Sequence, residues 1–286
     1  MARKPKKPKP SLNDVLIVAK QNKLGLRMAR KLERMLRPHV ESIHFDRSTG
    51  LRLRKRGLSV RRFDGDLIIT VGGDGTLLWT AHQSRVPILP IKIEGHGFLC
   101  TANFKELAEN FNSLLRGKYE IVEKMRLQCY RETSGILDKF LHKPYPLALN
   151  EIVFGRRRPS KMLEIEFRIN GVSINFAGDG LLVATPSGST AYNSSVGGSI
   201  IDPALDAVSI TPISPFFSRI RPKIVPAEER VEVLVKNGDC ALIIDGHGGD
   251  YVRGNTKFIV QKGRPLKLVQ LFSTNFYERF KKEFLE

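Results

Sequence analysis

The sequence predicts an α/β domain built on a parallel sheet, followed by a mostly antiparallel β domain and a C-terminal helix. Three observations lead to this prediction: strand and helix patterns alternate over the first 121 residues, Asn-Gly turns separate β-rich runs after them, and the final residues are amphipathic. We place the α/β domain at residues 12–121, the β-rich domain at 122–272 and the helix, expected to return to the first domain, at 273–286. Residues 1–11 alternate basic residues with proline, and we expect them to form a disordered tail.

In the first domain, short apolar runs predict strands and a 3.6-residue periodicity predicts helices. The predicted strands are residues 14–19, 66–71 and 87–91. The predicted helices are residues 24–36, 77–82 and 103–116, the last of which would end at Gly117. Strands that alternate with helices in this way favour a parallel, doubly wound sheet.

In the second domain, Asn-Gly pairs between β-rich runs predict hairpins. The pairs and the runs that they join are Asn170-Gly171 between residues 164–169 and 172–176, and Asn237-Gly238 between residues 231–235 and 241–244. Two further strands, residues 257–260 and 266–271, are predicted around Lys262-Gly263. The chain ends with a predicted helix at residues 275–284, capped by Asn275.

The composition is that of a globular protein without a membrane segment. The 286 residues are 41% hydrophobic and 27% charged, and no run approaches the ~20 consecutive apolar residues that a membrane-spanning helix needs. The N-terminus lacks the apolar core of a secretory signal, and the three cysteines are too far apart to indicate a disulfide framework or a zinc site. We therefore expect a cytoplasmic protein whose cysteines are reduced and buried.

The formal net charge of +18 favours polyanionic partners. Without the five basic residues of the tail the chain still carries +13, so the folded part is itself basic. Much of this charge lies in two clusters, residues 52–62 and 156–161. Neither cluster contains the interleaved aromatic residues that stack on single-stranded nucleic acid, which favours polyphosphorylated small molecules over nucleic acid as partners.

The loop Gly72-Gly73-Asp74-Gly75-Thr76 follows a predicted buried strand and opens a predicted helix, the place where open α/β sheets bind ligands. Glycines let backbone N–H groups approach a phosphate closely, and the helix N-terminus favours negative charge. A carboxylate is a poor phosphate ligand, so Asp74 is expected either to accept a proton from an attacking hydroxyl or to hold a magnesium ion. Neither a Walker A pattern nor GxGxxG occurs in the chain, which disfavours P-loop enzymes and Rossmann dehydrogenases.

Three further segments carry polar residues beside predicted strands. Asn150-Glu151 precedes a strand, and alone this pair indicates no more than a turn. The Gly178-Asp179-Gly180 segment predicts either a β-bulge or an aspartate that binds ribose or amide donors. The segment from Thr185 to Gly198 packs hydroxyl residues, glycines and Tyr192 between two apolar strands, so it predicts a hydrogen-bonding surface for a ligand with a flat base.

These segments, taken in order, resemble the NAD kinase family. The motifs that carry the resemblance are GGDGT at residues 72–76, Asn-Glu at 150–151, GDG at 178–180 and TPSGSTAY at 185–192, with smaller matches at 195–198, 211–213, 221–222 and 245–246. The resemblance spans residues 12 to 275 and is most specific in the TPSGSTAY block. It implies a Rossmann-like, phosphofructokinase-like first domain, an NAD-binding second domain, and an enzyme that phosphorylates the 2′-hydroxyl of the adenosine ribose of NAD.

The resemblance also implies roles for individual residues. Asp74 would be the catalytic residue, beside the ribose 2′-hydroxyl, and phosphates would be handled by Gly72, Gly73, Gly75 and Thr76. NAD would be bound by Gly75, Asn150, Glu151, Asp179, Thr190, Ala191, Tyr192, Ser195 and Asp245. Among these, Asn150, Tyr192 and Ser195 would line the adenine pocket, Glu151 and Asp245 would hold ribose hydroxyls, and Asp179 with Ala191 would meet the nicotinamide end. No residue is assigned as a metal ligand.

The resemblance further implies ATP or inorganic polyphosphate as phosphoryl donor, with Mg²⁺ or another divalent cation accompanying it, and a homodimer or homotetramer with sites completed between subunits. Residues 90–99 depart from the family pattern, because they lack its Asn and first Gly; His96 in this loop could contact phosphate or simply be solvated.

Two other interpretations of the function remain open on the residues alone. A lipid or sugar kinase would share GGDGT but leave residues 185–198 unexplained, and a non-catalytic nucleotide- or nucleic-acid-binding protein would conflict with the four acidic site residues.

Overall fold

The computed structural model describes residues 12–95, 97–132, 145–217 and 219–284, so the predicted tail and His96 lie outside the described residues. The chain divides into two compact units. Unit 1 contains the described parts of Met1–Glu123 and Lys267–Glu286, and unit 2 contains those of Lys124–Leu266. None of the helices in the described ranges is long and apolar enough to span a bilayer.

Unit 1 is an α/β layer structure on a parallel sheet. Its strands are β1 (Asp14–Ala19), β2 (Ser42–Asp46), β3 (Gly57–Leu58), β4 (Leu67–Gly72), β5 (Ile88–Lys92) and β6 (Ala102–Asn103). They lie in the order β5-β4-β1-β2-β3, with β6 beside β5, and every one of these pairs is parallel. The buried strands β1 and β4 are nearly continuous apolar runs because helices cover a parallel sheet on its faces.

The helices of unit 1 include one that was not predicted, at residues 47–53, and one predicted helix that is broken in the structure. They are α1 (Lys23–Leu36), α2 (Arg47–Leu53), α3 (Asp74–Ala81), α4 (Phe104–Glu109) and α5 (Phe111–Leu115), and the C-terminal helix α7 (Phe276–Phe284) also belongs to this unit. The single helix predicted at residues 103–116 is wrong, since the structure ends α4 at Glu109 and starts α5 at Phe111. Asn110, at φ −102° and ψ 12°, departs from helical geometry and donates its side-chain amide to the Glu106 carbonyl at 3.0 Å.

Helix α1 shows how sequence and packing agree. Asn22 caps it by accepting the Gly25 N–H at 2.7 Å, and Ala29, Leu32 and Leu36 are buried on its inner face. The outer face is a stripe of exposed cations at helical spacing: Lys23, Arg27, Arg30, Arg34 and Arg37. The acidic Glu33 lies inside, where it binds Arg37 and Lys55.

Unit 2 is built of antiparallel strands, with one large hydrophobic core and a second, smaller buried cluster. These are β7 (Glu120–Arg131), β8 (Glu151–Arg156), β9 (Leu163–Ile169), β10 (Val172–Gly178), β11 (Gly180–Ala184), β12 (Ala207–Ile213), β13 (Lys223–Pro226), β14 (Val231–Asn237), β15 (Cys240–Ile244), β16 (Tyr251–Val252) and β17 (Thr256–Gln270). One sheet has the order β10-β9-β14-β17 with β7 on β17, and the other has the order β13-β12-β11-β8-β15-β16. Phe154, Phe167 and Phe258 are the largest side chains of the core that fills this unit. The first residues of β7, up to Glu123, and the last residues of β17, from Lys267, belong to unit 1, where Leu268 pairs with Ile88.

The first predicted hairpin is confirmed and the second is wrong. Strands β9 and β10 pair in register across Asn170 (φ 49°) and Gly171 (φ 77°), the two positive φ angles that a type I′ turn requires. Strands β14 and β15 flank Asn237-Gly238 but enter different sheets: β14 pairs with β9 and β17, whereas β15 pairs with β8 and β16. Gly238, at φ 85°, therefore turns the chain from one sheet to the other.

The break predicted at Lys262-Gly263 is also wrong, because β17 runs through it as one strand of 15 residues. A Cβ on Gly263 would lie 2.4 Å from the end of the Leu147 side chain, so a larger residue there would displace that leucine. The C-terminal helix and its cap are confirmed: Asn275 Oδ1 accepts the N–H groups of Tyr277 at 2.8 Å and Glu278 at 3.3 Å. The three cysteines are free and buried, as predicted.

Candidate functional site

In unit 1, the glycine-rich loop is the junction between β4 and α3. The strand ends at Gly72, Gly73 is the extended N-cap, and Asp74 is the first residue of the helix. A Cβ on Gly72 would lie 2.2 Å from Thr76 Oγ1, so glycine is required there for the threonine side chain to fold back over the strand end. A Cβ on Gly75 would meet nothing within 4 Å, which leaves the side of the helix N-terminus at Gly75 open to a ligand.

The Asp74 carboxylate is held by the loop that follows β5. Its Oδ1 accepts the Leu99 N–H at 3.0 Å, and the Phe98 N–H and the Cys100 thiol also donate to the carboxylate. Burial raises the pKa of Asp74 above its usual value, and these donors together with the nearby Arg279 guanidinium oppose that rise. A carboxyl whose pKa is raised by burial is suited to proton transfer.

Sequence reasoning missed Arg279, which lies on α7 and contacts the same loop. One of its terminal nitrogens donates to the Phe98 carbonyl and to the Cys100 carbonyl, the latter at 2.7 Å. Its guanidinium carbon also lies 5.4 Å from the centre of the Phe98 ring. An arginine in a C-terminal helix carries no local signal for such a role, because the contact joins residues about 180 positions apart.

In unit 2, Asp245 organises the start of β8. It follows β15 at φ 49°, and its carboxylate accepts three successive backbone N–H groups: Leu149 at 2.8 Å, Asn150 at 2.7 Å and Glu151 at 3.1 Å. The Asp245 N–H in turn donates to the Glu151 carbonyl at 3.0 Å. Asp245 is 4% exposed, so in this structure its carboxylate holds the backbone of the Asn150-Glu151 segment.

The side chains of Asn150 and Glu151 are buried beside Asp245 and are incompletely hydrogen-bonded. Asn150 Oδ1 and Glu151 Oε2 are buried atoms without a hydrogen-bond partner in the structure. Burial, with a smaller contribution from the Asp245 charge, raises the pKa of Glu151 to about 8. Because a buried polar atom without a partner costs free energy, two such atoms on adjacent residues indicate a place where a polar ligand binds.

The segment from Thr185 to Gly198, called the hydroxyl-rich segment below, packs directly on Asn150 and Glu151. Thr185 donates its hydroxyl to the Leu149 carbonyl at 2.6 Å and its N–H to the Asn150 carbonyl at 2.9 Å. Gly188 donates its N–H to Thr185 Oγ1 at 3.0 Å. A Cβ on Gly188 would lie 2.0 Å from the Asn150 carbonyl oxygen, so the close approach of the two segments requires glycine. The structure therefore brings Asn150, Glu151, Asp245 and the hydroxyl-rich segment together.

Asn193 is a second residue that sequence reasoning missed. It is fully buried, and its Oδ1 accepts the hydroxyls of Thr211 at 2.7 Å and Ser209 at 3.1 Å. Its amide donates to the Ser199 carbonyl at 3.1 Å. These bonds fix the hydroxyl-rich segment to strand β12. The signal in the sequence that could have identified Asn193 is its position directly after the TPSGSTAY motif.

The remaining predicted residues lie around this core of the site. Thr190 ends a short 3₁₀ turn (Gly188–Thr190), Ala191 follows it, and Tyr192 and Ser195 are exposed on the one-turn helix α6 (Tyr192–Ser195). Asp179 stands apart from the Asn150-Glu151-Asp245 cluster. Its carboxylate contacts Arg156 Nε at 3.1 Å, at the opposite end of β8 from Glu151.

Comparisons with known proteins support this description. The ATP-NAD kinase N-terminal domain model matches residues 13–119, and the ATP-NAD kinase C-terminal domain model matches residues 149–271. An NAD kinase of Methanothermobacter thermautotrophicus is 35% identical over 82% of this chain and 81% of its own, and one of Methanopyrus kandleri is 34% identical over 77% and 78%.

Solved structures give the same result. The crystal structure of an NAD kinase from Archaeoglobus fulgidus in complex with ATP is 26% identical, covers 95% of this chain and 97% of its own, and has a TM-score of 0.73. The fold is also that of yeast NADH kinase complexed with NADH, at 21% identity and a TM-score of 0.84 over 99% of this chain and 92% of that one.

The fold and the site together define a phosphotransferase. A parallel sheet ends in an aspartate at a helix N-terminus, and a separate β unit gathers acidic, amide and hydroxyl groups. The chain belongs to the NAD kinase family. This membership confirms the resemblance drawn from the motifs and disfavours the interpretations as a lipid or sugar kinase and as a non-catalytic binding protein.

Proposed function

We propose that this chain transfers a phosphoryl group to the 2′-hydroxyl of the adenosine ribose of NAD and so produces NADP. The observation that carries the proposal is the pair of buried, unpartnered oxygens on Asn150 and Glu151, packed against the hydroxyl-rich segment. A purine base and a ribose offer the amino and hydroxyl donors that such acceptors lack, and the family of the chain supplies the reaction.

In this proposal Asn150 binds the adenine amino group, with Tyr192 and Ser195 lining the adenine pocket. Glu151 accepts hydrogen bonds from ribose hydroxyls. The buried Asp245 contributes to ribose binding mainly by fixing the backbone of Glu151. Thr190 and Ala191 extend this surface. Asp179 would contact the nicotinamide end, and its place at the far end of β8 supports that role, because the strand spans roughly 17 Å at ~3.3 Å per residue, the scale of an extended dinucleotide.

Asp74 is proposed as the group that accepts the proton of the attacking hydroxyl. Gly72, Gly73, Gly75 and Thr76 would bind phosphates at the N-terminus of α3, where the open space at Gly75 allows close approach. Phosphoryl transfer needs little covalent help from the protein, so positioning and charge neutralisation carry most of the rate enhancement.

We propose that a divalent cation accompanies the phosphoryl donor. Among the residues that the structure describes, no three His, Cys, Asp or Glu side chains are grouped so that they could hold a metal ion. Mg²⁺ usually keeps several waters and is bound largely through substrate phosphates, so we propose that it arrives with the phosphoryl donor. When bound, it would neutralise charge on the donor phosphates.

The test of the proposed function is an assay of purified protein with NAD, Mg²⁺ and either ATP or inorganic polyphosphate, in which NADP is quantified by chromatography. Replacement of NAD by NADH in parallel reactions gives the acceptor preference. Asp74→Asn should lower kcat about 10²–10⁴-fold, the usual contribution of a general base. NADP formation by Asp74→Asn at the wild-type rate would show that the proposed role is wrong.

We further propose a cytoplasmic homo-oligomer, a dimer or a tetramer. The three buried free cysteines support a reducing compartment, and aromatic side chains of unit 2 such as Phe217, which is 96% exposed, support an interface between copies. Light scattering on the purified protein would give the number of subunits, and a monomer at micromolar concentration would contradict this part of the proposal.

A further inference from the structure

The peptide group between Phe98 and Leu99 is held from both sides. Its N–H, on Leu99, donates to Asp74 Oδ1 at 3.0 Å, and its carbonyl, on Phe98, accepts a hydrogen bond from the Arg279 guanidinium. The same guanidinium donates to the Cys100 carbonyl at 2.7 Å. A single peptide group therefore links the cation on α7 to the carboxylate at the start of α3.

Helix α7 is fixed on this loop by further contacts. The Phe98 ring packs edge-on against Phe276 and Phe284, at centroid distances of 5.6 Å and 5.3 Å. Lys92 and Glu283 form an ion pair at 2.5 Å. Burial lowers the pKa of Arg279, and a half-buried guanidinium is costly unless its hydrogen bonds are made. These contacts therefore hold the Arg279 side chain on the loop.

We propose that Arg279 is a positioning residue for the phosphoryl-transfer reaction: through the Phe98–Leu99 peptide it fixes the orientation of the Asp74 carboxylate. The inference rests on the proposed role of Asp74 as proton acceptor. Arg279 itself touches neither the substrate nor the reacting atoms in this scheme.

Two physical effects make the link effective. A cation on the carbonyl polarises the peptide, which strengthens the hydrogen bond that its N–H makes to the carboxylate. The bond to the Phe98 carbonyl also restricts rotation of the peptide unit whose N–H donates to Asp74, and the bond to the Cys100 carbonyl restrains the backbone of the residue whose thiol donates to it. Small displacements of a catalytic group have large kinetic effects, because attack requires a narrow range of geometry.

The charges around Asp74 give the link a measurable signature. From the loop, the Phe98 and Leu99 N–H groups and the Cys100 thiol face the carboxylate, and from α7 Arg279 faces it. Arg279 in turn faces Glu283 and Glu106, and Cys100 faces Lys92. Because Arg279 lowers the pKa of Asp74, its removal should raise that pKa, so that the acid limb of the kcat–pH profile moves to higher pH.

The experiment compares Arg279→Gln, Arg279→Lys and the control Lys282→Gln in the full chain, with NAD, ATP and Mg²⁺ as substrates. Lys282 is exposed on the same helix, so its substitution removes the same charge without touching the loop. Each variant is measured for kcat, for the KM of NAD and for the pH midpoint of the acid limb, and thermal unfolding checks its fold.

We expect Arg279→Gln to lower kcat about tenfold or more, because the free energy of a hydrogen bond to a charged group corresponds to a rate change of about 10- to 100-fold. The KM of NAD should change less than about threefold, and the acid midpoint should rise. Arg279→Lys, which keeps the charge but cannot span both carbonyls, should have an intermediate kcat and a wild-type midpoint. Lys282→Gln should match the wild type.

The inference is wrong if Arg279→Gln retains the kcat and the acid midpoint of Lys282→Gln. It is also wrong if both Arg279 variants lose kcat equally and the acid midpoint does not shift, because that result would indicate a purely structural role. If Arg279→Gln does not fold, Arg279→Lys decides alone: a wild-type kcat overturns the inference. Asp74→Asn in the same assay separates the two proposals. A wild-type rate for Asp74→Asn contradicts the proposed function, whereas an inactive Asp74→Asn with unaffected Arg279 variants contradicts only the inference.

Discussion

The Asp245 carboxylate is expected to be a major source of stability for unit 2, and Asp245→Asn tests this. Asparagine is the matched replacement because it keeps the size of the side chain and tolerates the left-handed backbone at φ 49°. In its best orientation the amide oxygen replaces Oδ1 and keeps the bonds to Asn150 and Glu151. The amide nitrogen then meets the Leu149 N–H, which donates to Oδ2 in the wild type, as one donor facing another.

The magnitude follows from these bonds. A hydrogen bond to a charged group contributes about 1.5–3 kcal/mol, and a bond to a neutral acceptor about half of that. Asp245→Asn loses one bond at 2.8 Å outright and weakens two more, so the expected loss is about 3 kcal/mol in the free energy of unfolding.

The assay is urea unfolding of the purified protein, combined with amide hydrogen exchange of residues 149–151. The control is Asp239→Asn, because Asp239 pairs with the largely exposed Arg158 at 3.0 Å and exposed ion pairs contribute at most about 1 kcal/mol. Exchange at residues 149–151 should accelerate in Asp245→Asn and remain unchanged in Asp239→Asn. Equal losses of stability in the two variants, with no local change in exchange, would refute the reasoning.

Two further predictions follow from buried polar groups in unit 2. The pKa of Glu151 is about 8 against an ordinary value of 4.5, so the folded protein binds the proton of this carboxyl more tightly than the unfolded chain does. The stabilisation of the fold by this proton is complete below about pH 4.5 and is lost as the pH rises through about 8. The thermal midpoint of the ligand-free wild type should therefore fall between pH 5 and 8 more steeply than that of Glu151→Gln, and parallel curves would contradict the pKa. Asn193→Ala should cost about 2–4 kcal/mol in urea unfolding, because it leaves the buried hydroxyls of Thr211 and Ser209 without their acceptor. Asn175→Ala, at an exposed position, serves as its control, and similar losses in both would argue against the buried network.

The parts of the fold that depend on local pattern could be predicted from the sequence. The apolar run of β1, the periodicity of α1 and the Asn170-Gly171 turn each determine their structure through neighbouring residues, and each was predicted correctly. The glycine-rich loop was likewise placed correctly between a strand and a helix, because its flanking patterns differ so clearly.

The errors arise where distant contacts decide. Asn237-Gly238 has the composition of a hairpin turn, but Val233 and Val235 pair with β9 while Leu242 pairs with β8, so packing between two sheets overrides the local turn. Lys262-Gly263 likewise indicates a break, yet β17 continues through both residues, and Gly263 packs against the Leu147 side chain.

The candidate site shows the same division. Its motifs identified which residues to expect, including Asp74, Glu151 and Asp245. The structural role of each residue could not be predicted from the sequence, because the Asp245 carboxylate accepts hydrogen bonds from backbone N–H groups 94 to 96 residues away. Asn193 and Arg279 were missed for the same reason, because their partners are defined by the fold.

The cationic stripe on α1 is part of an uneven distribution of charge in unit 1. Residues 12–62 contain fourteen Lys and Arg but only four Asp and Glu, whereas residues 63–123 and 267–286 together contain nine of the former and eleven of the latter. Strands β1, β2 and β3 lie toward one end of the sheet of unit 1 and β4, β5 and β6 toward the other, so the two groups of charges are separated in space and give the unit an electric dipole moment. Within about 10 Å in 0.1 M salt, an approaching polyanion would therefore be attracted more strongly to the α1 side of unit 1 than to the rest of that unit.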